Sequence, residues 1–214
     1  MTDHGPGIGD TFRTVNGSAE GSVLVLGSKF IAQMAPAATT DEAGAVLAQR
    51  ERRYPDATHH CWAYCVGRPG QLVERSADAG EPSGTAGRPI LDTLRHAGLE
   101  NAVCVVSRYF GGTKLGTGGL ARAYADAAQM AIEASTIITR TVVQHVTIDF
   151  DFDRTGVVFR VLEEHGAHLV PSAYDSRAHG TARVPASRVA DLQRRLTELA
   201  PTRVDLVAGE LEIL

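Results

Sequence analysis

A glycine-dense stretch at residues 107–124, SRYFGGTKLGTGGLARAY, constrains the fold of this chain more than any other feature. An apolar run, Ala102–Val106, precedes it, and a helix-like pattern begins near Leu120. Glycine loses more conformational freedom on ordering than other residues, so a folded chain keeps it where φ is positive or where another group approaches the backbone. Five glycines fall within ten residues here: Gly111, Gly112, Gly116, Gly118 and Gly119.

A loop between a strand and a helix can present unpaired N–H groups to an anion, and the helix dipole assists. Arg108, Lys114 and Arg122 add positive charge nearby. The pattern is neither a Walker A loop nor a dinucleotide-binding Gly-x-Gly-x-x-Gly motif. Two interpretations stay open: a ligand-binding loop, or a tight turn in which Gly118 and Gly119 pack against a neighbouring element.

Length and composition narrow the class of protein. A chain of 214 residues can form one large or two small domains, and its net charge of −4 argues against a generally basic nucleic-acid coat. No apolar run approaches the roughly twenty residues of a membrane helix, and we expect a cytoplasmic protein with no membrane contact. We interpret Cys61, Cys65 and Cys104 as reduced thiols.

The N-terminal part of the chain alternates between strand and helix patterns. Residues 1–10 are predicted to be a disordered tail. A capped helix is predicted from Thr39 to about Arg53. A second glycine-rich stretch, residues 78–89, precedes a helix over 90–96 that ends at Gly98. Strands are predicted over 11–15, 22–26, 28–35, 57–66, 71–75 and 102–106, and a helix over 120–134.

The remaining segment divides into six regular pieces. They are a strand over 141–150, a helix over 154–165, a hairpin over 167–174 and 180–184, a capped helix over 187–199, and a strand over 203–213. This order, βαββαβ, is the ferredoxin-like plan, with an antiparallel sheet and both helices on one face. We therefore predict an α+β protein with domains at 11–136 and 140–214.

Several short motifs carry a resemblance to a known family. They are Ser28-Lys29-Phe30, Ala57 with His59-His60-Cys61, Gly80-Glu81-Pro82, Gly84-Thr85-Ala86-Gly87, and Arg108-Tyr109-Phe110-Gly111-Gly112 with Leu115–Leu120. On these residues the chain resembles the YigZ/IMPACT family, its bacterial members in particular, over nearly its whole length after the tail.

The resemblance implies a first domain with the fold of ribosomal protein S5 domain 2 and a second, ferredoxin-like domain. That pair resembles the last two domains of translation elongation factor G. Eukaryotic members act in translational control through an additional RWD domain, so we expect no RWD-dependent partner here. Bacterial members look like nucleic-acid- or ribosome-associated proteins without a firm biochemical activity.

We therefore expect a non-catalytic protein that binds RNA or the ribosome and modulates translation, with no cofactor; the oligomeric state stays open. The expected phosphate-binding residues are Arg108, Tyr109, Gly111, Gly112, Lys114, Gly116, Thr117, Gly118, Gly119 and Arg122. The second motif of the same cleft is expected to contribute His59, His60, Asp78, Glu81, Ser83, Gly84, Thr85 and Gly87. An aromatic residue, Tyr109 or Phe110, could stack on an unpaired base unless Phe110 belongs to the core.

The alternative is a nucleotide- or phosphate-binding enzyme that resembles small-molecule kinases. It would use the Gly111–Gly119 loop, with Mg²⁺ held by Asp78 or Glu81. The usual run of small hydroxyl residues of such kinases is missing, which weakens that hypothesis. The family's Asp-Asp-Gly-Glu-Pro motif reads Asp78-Ala79-Gly80-Glu81-Pro82 in this chain, which argues against a mechanism that needs two adjacent aspartates but leaves Asp78 and Glu81 as metal ligands.

Two further patterns have plainer interpretations. His59, Cys61 and Cys65 would share one face of a strand and His60 the other, which argues against a zinc site. Ser83, Thr85 and Thr117 could serve as nucleophiles beside a histidine base. The interpretation we prefer is that they cap the helices at Ile90 and Leu120, with Glu81 binding loop amides.

Overall fold

The computed structural model describes residues 9–68, 70–174, 176–200 and 203–214. These residues form two compact units, one spanning Phe12–Thr139 and the other Arg140–Leu214 with the described residues that precede Phe12. Both units combine strands and helices, which confirms the predicted α+β class. The predicted disordered tail falls almost entirely outside the described residues. No described helix is long and apolar enough to cross a membrane.

The first unit contains a five-stranded antiparallel sheet, and the strand that precedes it along the chain, β1 (Thr11–Val15), is not part of this sheet. The five strands are β2 (Ala19–Val25), β3 (Ser28–Pro36), β4 (His59–Arg68), β5 (Gln71–Ala77) and β6 (Ala102–Tyr109). They pair in the order β2-β3-β6-β4-β5. Its helices are α1 (Thr40–Arg53), α2 (Gly87–His96) and α3 (Gly116–Glu133).

Helices α2 and α3 pack on one face of this sheet, and α1 packs on the other. The α2 and α3 face buries Phe30, Ile90 and Leu94 in one cluster, whereas Ala43 of α1 belongs to a separate cluster on the opposite face. Small residues allow α3 to approach closely: a Cβ at Gly21 of β2 would lie 2.4 Å from the backbone nitrogen of Ala131. The alternation of side chains along β3, β4 and β6 thus separates two cores.

Two helix starts in this unit differ from the sequence prediction. Helix α3 begins at Gly116 rather than near Leu120, and α2 begins at Gly87 rather than Ile90. A helical glycine costs about 1 kcal/mol relative to alanine, and burial of the following apolar face outweighs that cost.

Two predicted helix ends are confirmed. Thr39 caps α1, since its side chain accepts a hydrogen bond from Glu42 N, and α2 ends before Gly98, which has a φ of 62°.

The second unit follows the order β7 (Ile137–Phe150), α4 (Thr155–Glu164), β8 (Leu169–Tyr174), β9 (Ala178–Pro185), α5 (Val189–Leu199) and β10 (Val204–Ile213). Its strands pair in the order β10-β7-β9-β8. Ile148 of β7, Val158 of α4 and Leu192 of α5 share one buried cluster, so both helices pack on the same face. The predicted cap of α5 is wrong, because Ser187 hydrogen-bonds to Asp10 and no side chain caps this helix.

Candidate functional site

A cleft of about 360 Å³ in the first unit brings the two glycine-rich stretches together. Glu81 and Pro82 come from the stretch between β5 and α2, and the other residues come from the end of β6 and the start of α3. The complete lining is Glu81, Pro82, Arg108, Phe110, Lys114, Leu115, Gly116, Thr117 and Leu120. We call this space the cleft.

The first turn of α3 forms the positive end of the cleft. Leu115 is the N-cap residue, no side chain accepts a hydrogen bond from the turn, and the turn contains no acidic residue. Gly116, Thr117 and Gly118 are exposed. Because the first N–H groups of a helix lack partners within the helix and carry the positive end of its dipole, this turn can bind an anion. Thr117 does not cap the helix, contrary to one interpretation of the sequence.

Two cations accompany this turn. Lys114 is exposed and lines the cleft, and Arg122 Nη1 lies 3.7 Å from the position that a Cβ on Gly118 would take. Neither cation forms an ion pair with a carboxylate of the described residues. Gly119 is tightly packed, since its Cβ would lie 3.1 Å from Leu115 Cβ, whereas Gly112 and Gly116 have positive φ and open surroundings. Residues 116–118, at the start of α3, are therefore open to a ligand.

Arg108 differs from its predicted role as a free phosphate-binding cation. Its side chain is buried, with the residue only 5% exposed, and its Nη1 donates to Glu81 Oε1 at 2.5 Å. Nη2 lies 3.4 Å from Ser28 Oγ, and the buried Nε has no hydrogen-bond partner among the described residues. The charge of Arg108 is thus neutralised by Glu81, so Arg108 lines the cleft without offering it a free cation.

Glu81 is the centre of a buried hydrogen-bond network rather than a ligand for loop amides. Its Oε1 accepts from Tyr124 Oη at 2.7 Å as well as from Arg108, and His59 Nε2 lies 3.9 Å away. Burial raises the pKa of Tyr124, and its hydrogen bonds to Cys61 and Glu81 add to that shift. The phenol therefore stays protonated and holds α3 to Glu81.

Asp78, not Ser83 or Thr85, caps α2. Its Oδ1 accepts from the backbone nitrogens of Ala86 and Gly87, both at 2.9 Å, and its Oδ2 accepts from Gly84 N at 2.8 Å. Burial raises the pKa of Asp78, but these three N–H donors outweigh burial, and the net pKa is lowered. Thr85 Oγ1 instead donates to Pro82 O, and the Ser83 side chain forms no hydrogen bond with any residue that the structure describes.

These contacts contradict the predicted Mg²⁺ site. Both oxygens of Asp78 are occupied by backbone amides, and Oε1 of Glu81 is occupied by Arg108 and Tyr124. Among the described residues, no three His, Cys, Asp or Glu side chains lie close enough to hold a metal ion. Ala79, between Asp78 and Gly80, has a φ of 45°, a conformation that asparagine or aspartate tolerates better than alanine.

Replacement of Asp78 with alanine should destabilise the protein by about 1 kcal/mol or more at neutral pH, the usual cost of a lost helix cap. Because the pKa of Asp78 is lower in the folded than in the unfolded state, its contribution is complete above the unfolded pKa. It is lost as the pH falls through the folded pKa. Urea unfolding of both proteins should show a difference that is constant near neutrality and shrinks below about pH 4. A difference that grows on acidification would contradict this role.

Within the glycine-dense stretch, the backbone of Phe110 and Gly111 packs against other parts of the chain. A Cβ on Gly111 would lie 1.9 Å from the carbonyl carbon of Gly27, so the two backbones touch. Gly111 N donates to Ser28 Oγ, and Phe110 N donates to Thr58 Oγ1, so these two amides are not available to an anion. Gly87 is likewise structural, because its Cβ would lie 2.7 Å from Ala77 N. Gly84 has a φ of 76° and an open environment.

The structure separates the two adjacent histidines. His59 lies beside the second motif, where its Nδ1 donates to Ala79 O at 2.9 Å. His60 points to the other face of the sheet, where its Nδ1 lies 2.9 Å from Ser107 Oγ, and burial lowers its pKa. The prediction that His60 belongs to the cleft is therefore wrong, because consecutive residues of a strand face opposite sides. Tyr109 also lies on that face, because it directly follows Arg108, and it is half-buried.

The cysteines are core residues. Cys61, Cys65 and Cys104 are all buried and unpaired by disulfides. Cys61 Sγ lies 2.9 Å from Asp78 O, and burial raises the pKa of its thiol to about 12. A thiol with so high a pKa is protonated at neutral pH and is a poor nucleophile.

Sequence reasoning missed three residues that shape the cleft: Ser28, Thr58 and Tyr124. Their hydroxyl groups bind Gly111 N, Phe110 N and Glu81 from other parts of the chain. A tyrosine one turn after Leu120 on an otherwise alanine-rich helix face was the one local signal, because a buried phenol requires a hydrogen-bond partner.

Comparisons with known proteins identify the family. A family model described as the Impact N-terminal domain matches residues 26–132, and one described as a domain of unknown function, DUF1949, matches residues 148–200. The IMPACT family member YvyE of Bacillus subtilis is 30% identical, over 95% of this chain and 94% of that protein. An IMPACT family member of Haemophilus influenzae is 33% identical, over 87% and 90%.

Two further matches also cover most of the chain. The IMPACT family member YigZ of Escherichia coli is 30% identical over 86% of this chain and 90% of that protein. A crystal structure described as that of a hypothetical protein superposes with a TM-score of 0.65 at 28% identity, covering 94% of this chain and 98% of that one. Family models and relatives together cover both units, and the chain belongs to the IMPACT family.

Proposed function

We propose that this protein binds RNA through the cleft, in association with the ribosome, and thereby modulates translation. One observation carries the proposal: the exposed first turn of α3 has no side-chain cap and no acidic residue, and Lys114 lies beside it. An uncapped helix start next to an unpaired lysine is suited to the phosphate oxygens of a nucleic acid.

The charges around the cleft support an anionic ligand. Glu81 is the one carboxylate in its lining, and the ion pair with Arg108 neutralises it. Lys114, Arg122 and the helix dipole then give this region a net positive charge, although the chain as a whole carries −4. Local charge of this kind, rather than net charge, attracts a phosphate backbone.

We also propose the domain assignment on which the ribosome association rests. Residues 11–136 would correspond to an S5 domain 2-like domain and residues 140–214 to a ferredoxin-like domain. The sheet order β10-β7-β9-β8 with both helices on one face supports the second assignment. The resemblance of this pair to elongation factor G then suggests a ribosomal partner, which is an analogy of fold alone.

Binding should depend on Lys114 and not on Lys29. These are the two lysines of the chain, both are exposed, and Lys29 lies on β3 outside the lining of the cleft. We expect Lys114→Ala to weaken RNA binding and to reduce the slope of log affinity against log salt by about one, because one phosphate contact is lost. Fluorescence anisotropy over a salt series measures both quantities, and Lys29→Ala is the matched control.

The ribosome association needs its own measurement. In sucrose gradients at low and moderate salt, the protein should sediment with a ribosomal subunit, and Lys114→Ala should release it at lower salt than Lys29→Ala does. If the purified protein binds neither RNA nor ribosomal subunits at low salt, where electrostatic binding is strongest, the proposed function is wrong.

A free nucleotide is the second candidate ligand, because a volume of about 360 Å³ lies within the usual range for small-molecule sites. This candidate no longer includes Mg²⁺ at Asp78 or Glu81. A thermal-shift screen tests whether the cleft binds a free nucleotide, since a nucleotide at a hundred times its dissociation constant stabilises a protein by about 2.7 kcal/mol. No shift with any nucleotide would exclude it.

A further inference from the structure

Phe110 is an exposed aromatic residue whose ring is supported by the buried side chain of Arg108. The residue is 49% exposed, and it lines the cleft. The guanidinium carbon of Arg108 lies 5.5 Å from the centroid of the Phe110 ring and 5.3 Å from the centroid of the buried Phe30 ring. The guanidinium therefore supports the Phe110 ring, which keeps part of its surface open to solvent.

The backbone around Phe110 is equally constrained. Its N–H donates to Thr58 Oγ1, and the next residue, Gly111, contacts Gly27 directly. An exposed phenylalanine on a mobile loop would lose entropy on binding, whereas a ring held in this way is already ordered. The structure thus presents a rigid aromatic platform.

The cleft combines this platform with the anion-binding turn of α3. Phe110, Leu115 and Leu120 supply apolar surface, and Lys114 and Gly116 mark the positive end. A phosphate alone would leave the apolar wall uncovered, and an apolar ligand would leave the N–H groups of the first turn of α3 unpaired. A nucleotide unit carries both a phosphate and a planar base.

We propose that the cleft holds one unpaired nucleotide of a single-stranded RNA, with its base stacked on Phe110 and its phosphate at the first turn of α3. This inference rests on the proposed function and narrows it to single strands. A base inside a duplex is stacked on both sides and paired, so it cannot reach the ring without being flipped out.

The test compares a labelled single-stranded RNA of about 12 nucleotides with the duplex of the same sequence, by fluorescence anisotropy. We expect the single strand to bind at least about tenfold more tightly than the duplex. Phe110→Ala should remove about tenfold of the single-strand affinity, the loss expected for one stacked base, without changing the salt dependence. Phe110→Tyr should retain the affinity because it keeps the ring.

Control variants distinguish the loss of base stacking from a loss of folded protein. Phe159→Ala removes another exposed phenylalanine, from α4 in the second unit, and should leave binding unchanged. The fluorescence of a strand that contains 2-aminopurine should be quenched when the strand binds the parent protein or Phe110→Tyr. Binding to Phe110→Ala should not quench it. Circular dichroism melting of each variant verifies that it is folded.

The outcomes distinguish the two proposals. If single-stranded and duplex RNA bind equally and Phe110→Ala binds like the parent protein, the stacking inference is overturned and RNA binding stands. If neither RNA binds at low salt, both the proposed function and this inference are wrong.

Discussion

Gly111→Ala is expected to destabilise the first unit by more than about 3 kcal/mol, at the upper end of what overpacking costs. The new Cβ would lie 1.9 Å from Gly27 C, 2.2 Å from Gly27 O and 2.3 Å from Ser28 N. All three are backbone atoms, so no side chain can rotate to relieve the clash. Denaturant unfolding followed by fluorescence measures the change in free energy.

The neighbouring residue provides the matched control. Gly112 has a φ of 87° and no atom within 4 Å of its Cβ position, so Gly112→Ala tests backbone strain without a clash. We expect it to cost about 1 kcal/mol. If Gly111→Ala costs no more than Gly112→Ala, the contact between Gly27 and Gly111 does not stabilise the fold.

Glu81→Leu should cost about 3–5 kcal/mol, because it leaves the guanidinium of Arg108 buried and uncompensated. Arg108 is 5% exposed, its Nη1 donates to Glu81 Oε1 at 2.5 Å, and Tyr124 loses its acceptor as well. Urea unfolding at neutral pH measures the loss of stability.

A double-mutant cycle distinguishes an unpaired charge from lost packing. Arg108→Met should also be destabilising, and the double variant Glu81→Leu/Arg108→Met should be more stable than the sum of the two changes predicts. Tyr124→Phe, which removes a neutral partner of Glu81 and the acceptor of the Cys61 thiol, should cost about 1 kcal/mol. Strictly additive effects of Glu81→Leu and Arg108→Met would contradict the buried ion pair.

The sequence was sufficient for the fold class, the family and most elements, because these depend on patterns within each segment. The alternation over 141–150 and the glycine at 98 are signals of this kind. The start of α3 was placed too late because glycine disfavours helix locally, while burial of Leu120 and Tyr124 against the sheet decides the outcome.

The sequence could not predict which residues of the candidate site are free to bind a ligand and which are used in structural contacts. Arg108 and Lys114 look alike in the sequence, but a carboxylate 27 residues before Arg108 neutralises it, whereas Lys114 forms no ion pair with any carboxylate that the structure describes. Asp78 caps a helix that begins nine residues later, which no capping rule based on adjacent residues would find. Both roles depend on contacts that exist only after the chain has folded.

Alkylation of the three buried cysteines can measure local unfolding of this protein. All three thiols lie in the first unit, at positions 61, 65 and 104, and burial raises the pKa of each to about 12. A maleimide or iodoacetamide reagent can therefore modify them only when that unit opens. Because the described part of the second unit contains no cysteine, the alkylation rate measures the opening of the first unit separately, without an added label.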